Sequence, residues 1–204
     1  MKTCYIVCAL DCKVDISLEN DDLLIGADRG YFTLVKNGFE PNVAIGDFDS
    51  YTGEIDCEKT IKFPVKKDYT DSALAIEYAI QNGYDKIVVY GGIGGALDHT
   101  MANLSLLEKL WGTGIRAIIT DGKNRARYIE RTSELVPNVG FKYLSLICAD
   151  REAKGVSLDG CKYPLKNAKL TRSGNSFTTS NEILKNCALV SVKKGGLYII
   201  ESKD

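Results

Sequence analysis

The sequence predicts an α/β N-terminal domain with a mainly parallel sheet covered by helices, followed by an all-β sandwich domain, with the two divided as residues 1–125 and 126–204. Three observations carry this expectation. Apolar, β-branched runs alternate with helical patterns as far as about Asp121. Beyond that point strand-like runs follow one another with turn residues between them. Short acidic motifs stand where most strands of the first half end, which is the edge at which open α/β sheets hold their ligands.

In chain order, the first-half strands are expected at residues 5–10, 23–27, 43–45, 86–90 and 115–120, each stopped by Gly or Asp. The stretch from Thr70 reads as a helix. Thr70 is its N-cap, Asp71 complements the helix dipole, Leu74, Ala75, Tyr78 and Ala79 form an apolar face, and Gly83 stops it. A second helix is expected over 99–111, closed by Gly112. Such alternation argues for parallel strands joined by crossover helices. After Asp121 no long helix is expected. Strands are placed at 127–130, 141–148, 156–158, 169–171, 188–192 and 197–201, the last two joined as a hairpin across Lys193-Lys194-Gly195-Gly196.

Composition narrows the partners. The 204 residues are 45% apolar, enough for one large or two small cores, and a net charge of -1 lacks the basic excess of a nucleic-acid binder. The N-terminal apolar run is interrupted by Asp11 too early for a signal peptide, and no stretch has the length of a membrane helix, so a cytoplasmic protein with a small-molecule partner is expected. Seven cysteines, an odd number, read as reduced thiols. Cys4, Cys8 and Cys12 lack the close pairing of a metal cluster.

The motifs carry the chemistry. Asp47 and Asp49 lie two apart, so in extended chain both point to one face and can share a cation, with Gly46 and Ser50 beside them. An acidic turn would account for the pair alone. Capping accounts for Thr70 and Asp71 but leaves Lys66, Lys67 and Asp68, whose two cations before two carboxylates suit phosphate together with its metal. Between strand and helix, Gly91, Gly92, Gly94 and Gly95 let backbone amides approach phosphate oxygens, although the loop has neither the P-loop nor the G-x-G-x-x-G spacing. His99 is the single histidine, which excludes mechanisms needing two, and no G-x-S-x-G setting supports a hydrolase triad. Residues 174–182 are dense in hydroxyls and amides, either an ordinary polar loop or a surface that hydrogen-bonds a polar ring.

This ordered set resembles the bacterial-type thiamine pyrophosphokinase family. The stretches that carry the resemblance are ADRG at 27–30, GDFDS at 46–50, KDYTD at 67–71, GGIGGALDHTMAN at 91–103, GVSLDGCKYPL at 155–165 and TSNE at 179–182. The resemblance implies a catalytic N-terminal domain that binds ATP and Mg2+, a thiamine-binding β-sandwich, and a homodimer with active sites at the subunit interface. It implies transfer of the pyrophosphoryl group of ATP to the hydroxyethyl oxygen of thiamine, giving thiamine diphosphate and AMP. By motif, Asp47, Asp49 and Asp71 would hold magnesium, with Asp28 and Asp98 lining the same acidic cleft. Arg29, Lys67, Asp68, Thr70 and the loop glycines would face the nucleotide. Ser176, Ser180 and Asn181 would meet thiamine.

Two departures from the family pattern stand out. Ala96 occupies the place of an arginine that usually precedes the Asp-His pair, so a phosphate-facing guanidinium is missing; Arg29 or Lys67 can compensate, or the arginine served structure. Phe177-Thr178 replaces a common Leu-Gly pair. Asp71 or Asp98 can accept the hydroxyl proton, and base and ligand are not separated by sequence. Two other readings use the same acidic edge: a magnesium-dependent phosphohydrolase or nucleotidyltransferase, and a non-catalytic thiamine or nucleotide sensor.

Overall fold

The computed structural model describes residues 2–8, 12–48, 55–63 and 70–203, without the side chains at 175 and 176. Asp49, Lys67 and Asp68 lie outside the described residues, as does the Ser176 side chain. The chain divides into two compact units, Met1–Leu106 with Gly112–Gly122, and Leu107–Trp111 with Lys123–Asp204.

In chain order the first unit contains Thr3–Val7 (β1), Leu23–Ala27 (β2), Gly30–Lys36 (α1), Val43–Gly46 (β3), Lys59–Lys62 (β4), Asp71–Gln81 (α2), Lys86–Tyr90 (β5), Leu97–Gly112 (α3, whose fourth turn is grouped with the second unit) and Arg116–Thr120 (β6). All six strands pair in parallel in the order β4-β3-β2-β1-β5-β6. The central strands read as nearly unbroken apolar runs because both faces are covered: Ile6, Leu24, Ile25, Ile45 and Ile87 are fully buried. Each such side chain contributes about 1.5–3 kcal/mol of burial.

Strand order places the site. The chain walks outward from β1 to β4 on one side, then returns to lay β5 on the other side of β1. Between β1 and β5 the direction of winding reverses, and at such a switch point open α/β sheets hold their ligands at the carboxyl ends of the strands.

The second unit contains Asn124–Glu130 (β7), Ser133–Pro137 (β8), Tyr143–Cys148 (β9), Glu152–Asp159 (β10), Leu165–Thr171 (β11), a 3₁₀ turn at Arg172–Thr178, Cys187–Ser191 (β12) and Gly196–Ser202 (β13). All pairings within it are antiparallel, β7-β13-β9 on one side and β11-β10-β12-β8 on the other. Ile129, Leu144, Leu146, Leu197 and Ile199 of the first group share one core with Val136, Val156, Leu170 and Val190 of the second. Two sheets closed over one core make a β-sandwich. Below that core Glu201, 1% exposed, takes Arg125 through Nε at 2.5 Å and Nη2 at 2.7 Å, and Arg127 through Nη1 at 2.8 Å. Glu134 on β8 contacts Arg127 as well.

The structure corrects several local expectations. β12 and β13 do not form a hairpin. β12 pairs with β10 and β8, β13 with β7 and β9, and residues 192–195 carry the chain from one sheet to the other, with Lys154 N–H donating to Lys194 O at 2.8 Å. α1, β4 and β8 are additional elements, and β1 covers Thr3–Val7 rather than starting at Tyr5.

Candidate active site at the strand switch point

Among the described residues, Asp28 and Asp47 follow the carboxyl ends of β2 and β3, and the glycine-rich loop follows that of β5. Asp28 follows β2 in the left-handed region, φ 51°, and its N–H donates to Ile45 O at 2.7 Å. That bond turns the end of β2 against the end of β3. A Cβ on Gly46 would lie 3.0 Å from the Asp28 Cα, so a larger residue would press the two turns apart by a few tenths of an ångström, with Asp47 next in line. Asp28 and Asp47 are both half-buried. Arg29, exposed, is the N-cap of α1 and makes no side-chain cap bond.

Thr70 caps α2 as the sequence predicts, its Oγ1 accepting the Ala73 N–H at 3.3 Å. Asp71 is therefore the first helical residue, where the dipole favours its negative charge. Its charge reaches Cys8 at the end of β1. Burial pushes the Cys8 thiol up to about 12, with Cys12 and Asp71 adding to the effect, so the neutral thiol is favoured.

Next to Cys8, across the switch point, the glycine-rich loop leaves β5. Cys8 N–H donates to Tyr90 O at 2.8 Å, and Gly91 N–H to Thr120 O at 2.8 Å. Gly92 is pressed on the strand ends, since a Cβ there would lie 2.7 Å from Ile119 Cγ2. Cys8, Gly91, Gly92, Gly95, Ala96, His99, Thr100 and Asn103 enclose a cavity of about 260 Å³. Gly94, φ 96°, is exposed and lies beside Asp121. Asp98 is exposed in the first turn of α3, with Oδ1 accepting the His99 N–H at 2.9 Å.

Among the described residues no three or more His, Cys, Asp or Glu side chains come close enough to hold a metal ion. Asp47 follows β3, and Asp71 opens α2, which packs on β1, β2 and β3. The expected trio with Asp49 thus depends on a residue outside the described ones. The donors near this edge are carboxylate oxygens, the set a hard dication takes.

In the second unit, Ser180 has φ 56° and is exposed, its N–H donating to Ser145 Oγ at 3.0 Å. The Asn181 side chain is buried and committed to backbone: Nδ2 donates to Tyr163 O at 2.7 Å, and Oδ1 accepts from Tyr163 and Glu182 N–H at 3.0 and 2.9 Å. Asn181 therefore fixes the loop that presents Ser180.

Cys8, Asn103 and Asp121 belong to this neighbourhood without having been singled out. An aspartate ending an apolar run, the signal that marked Asp28 and Asp47, also marks Asp121. Asn103 carries no such local signal.

Fold and edge together define a class: an α/β unit with a glycine-walled cavity at its strand switch point, joined in sequence to an antiparallel β-sandwich. Family models match the two parts in turn, "Thiamin pyrophosphokinase, catalytic domain" over residues 14–119 and "Thiamin pyrophosphokinase, vitamin B1 binding domain" over 132–197. The chain belongs to the thiamine pyrophosphokinase family. It is 33% identical over 189 residues to thiamine pyrophosphokinase of Bacillus subtilis, covering 89% of this chain and 88% of that one. The crystal structure of the Bacillus subtilis thiamine pyrophosphokinase superposes with a TM-score of 0.89 at 29% identity, covering 99% of both chains. That of an Enterococcus faecalis family protein superposes with 0.87 at 28% identity, over 98% of this chain and 99% of the other.

Proposed function

We propose that the protein transfers the pyrophosphoryl group of ATP to the hydroxyethyl oxygen of thiamine, releasing AMP. The observation that carries this reading is the glycine-walled cavity at the switch point, with the N-terminus of α2 and Asp71 beside it. Membership in the family supports it across both units.

Such a transfer asks for an in-line alcohol, phosphorus and leaving group, and for charge stabilisation on the phosphate oxygens. The amides of Gly92, Gly94 and Gly95 bind the phosphates, and Thr70, Lys67, Asp68, Asp28 and Arg29 orient the nucleotide. Asp47, Asp49 and Asp71 hold Mg2+, which when bound neutralises developing phosphate charge. Asp71 or Asp98 accepts the hydroxyl proton. Ser180, with Ser176, orients thiamine, and Asn181 holds the Ser180 loop. In the same reading the enzyme is a cytoplasmic homodimer that takes neither nucleic acid nor membrane as partner. Among the described residues no disulfide joins the seven cysteines, and no helix is long and apolar enough to cross a membrane.

AMP release from ATP, with and without thiamine, tests the proposal. AMP formed in step with thiamine diphosphate is the expected result. Thiamine-independent ATP hydrolysis, or tight thiamine binding without turnover, would overturn it.

A further inference from the structure

Asn103 stands in the second turn of α3, half-buried and lining the cavity. Its Nδ2 donates to Gly92 O at 2.7 Å. At the other end of the same amide, Oδ1 accepts from Ser72 Oγ at 3.5 Å. Ser72 Oγ is in turn 3.0 Å from Thr70 Oγ1, which caps α2. One side chain therefore joins the glycine-rich loop to the helix turn that carries Asp71.

We infer that Asn103 is a positioning residue that sets the spacing between the glycine-rich loop and the N-terminus of α2, and thereby the fit of the ATP phosphates. The role needs an amide. A carboxylate of the same shape has no proton for the Gly92 carbonyl and sets two oxygens against each other, while an aliphatic side chain makes neither bond. The packing gives the bond its leverage. Gly92 lies against Ile119 and Val89, so its peptide plane is held from below by the strands and from above by Asn103. The Gly92 bond is short and the Ser72 bond sits at the long limit, so loss of the first has the larger effect.

This inference rests on the proposed ATP chemistry, and the experiment separates the two. Calorimetric MgATP titration without thiamine, steady-state kinetics and thermal unfolding are run on wild type, Asn103→Asp, Asn103→Leu, Ser72→Ala and the Ser72→Ala/Asn103→Leu double variant. Asn103→Asp is expected to raise the MgATP Kd and KM about tenfold while leaving the thiamine KM within about twofold. Ser72→Ala is expected to raise the MgATP Kd about twofold alone and to add nothing in the Asn103→Leu background, because the amide it acts through is gone. An unchanged MgATP Kd in Asn103→Asp, equal losses for ATP and thiamine, or independent effects in the double variant overturn it. If the Asn103 variants fail to fold, Ser72→Ala decides by its MgATP Kd, and an unchanged value overturns the inference. A wild type that binds MgATP but forms no thiamine-dependent AMP refutes the functional reading and leaves the Asn103 result standing on the titrations.

Discussion

Replacing Gly30 with alanine tests whether the acidic edge depends on how closely the β2–α1 turn crosses the end of β1. A Cβ at Gly30 would lie 1.8 Å from Val7 O, 2.4 Å from Val7 C and 2.9 Å from Cys8 N. These are backbone atoms of a strand paired on both sides, with β2 and with β5, and they do not swing aside as a flexible side chain does. Relief to ordinary contact requires the turn to withdraw by roughly 1.5 Å, which carries Asp28 and Arg29 with it. Overpacking of this kind costs about 1–3 kcal/mol, or about 2–4 °C of Tm per kcal/mol for a chain of this size. A displacement of about 1 Å at groups that orient a reactant costs on the order of 100-fold in rate. Gly30→Ala is therefore expected to melt several degrees lower and to lose far more activity than that stability change explains. Circular dichroism melting together with AMP release at a temperature well below the transition measures both. Wild-type kcat/KM in a folded Gly30→Ala protein would show that the edge tolerates the shift and does not depend on this close approach.

Four further outcomes are expected. Asp71→Asn abolishes pyrophosphoryl transfer while leaving the fold intact; substantial AMP formation with normal kinetics would count against its role. Ala96→Arg, which places a guanidinium at the cavity wall, raises kcat/KM for ATP about tenfold, and no gain would mean that the charge is not needed at this position. Glu201→Gln leaves two arginines around a neutral amide and lowers stability by about 3–5 kcal/mol in urea unfolding; a loss below about 1 kcal/mol would mark the network as dispensable. The Cys8 thiol, held near 12 against an ordinary 9.0, contributes stability that is present below pH 9 and lost as pH rises toward 12. Cys8→Ser should accordingly flatten the alkaline decline of the melting temperature of the metal-free protein, and an unaltered decline would assign it to other groups.

Elements with strong local signals were legible. α2 announces itself through Thr70, Asp71 and its apolar face, and β2 and β5 are short β-branched runs with clear stops. α1 does not. It has seven residues, an arginine N-cap without a cap bond and no acid in its first turn, so its existence rests on packing Tyr31 and Leu34. β4 is largely exposed and pairs on one side, and β8 is an edge strand ending in Pro137; neither carries a strong pattern.

The two-part architecture, the acidic strand ends and, through the joint order of the motifs, the family were readable from local stretches of sequence. Those properties live in short windows, where caps, periodicity and turn residues act on near neighbours. Tertiary structure alone decided the strand order that puts β1 beside β5, the sheet change between β12 and β13, the commitment of Asn181 to backbone, and the Asn103 bridge. Asn103 meets Ser72 across 31 residues and Gly92 across 11. Such pairings depend on which strands and helices become neighbours, and that choice is made by burial of whole faces rather than by any local run of residues.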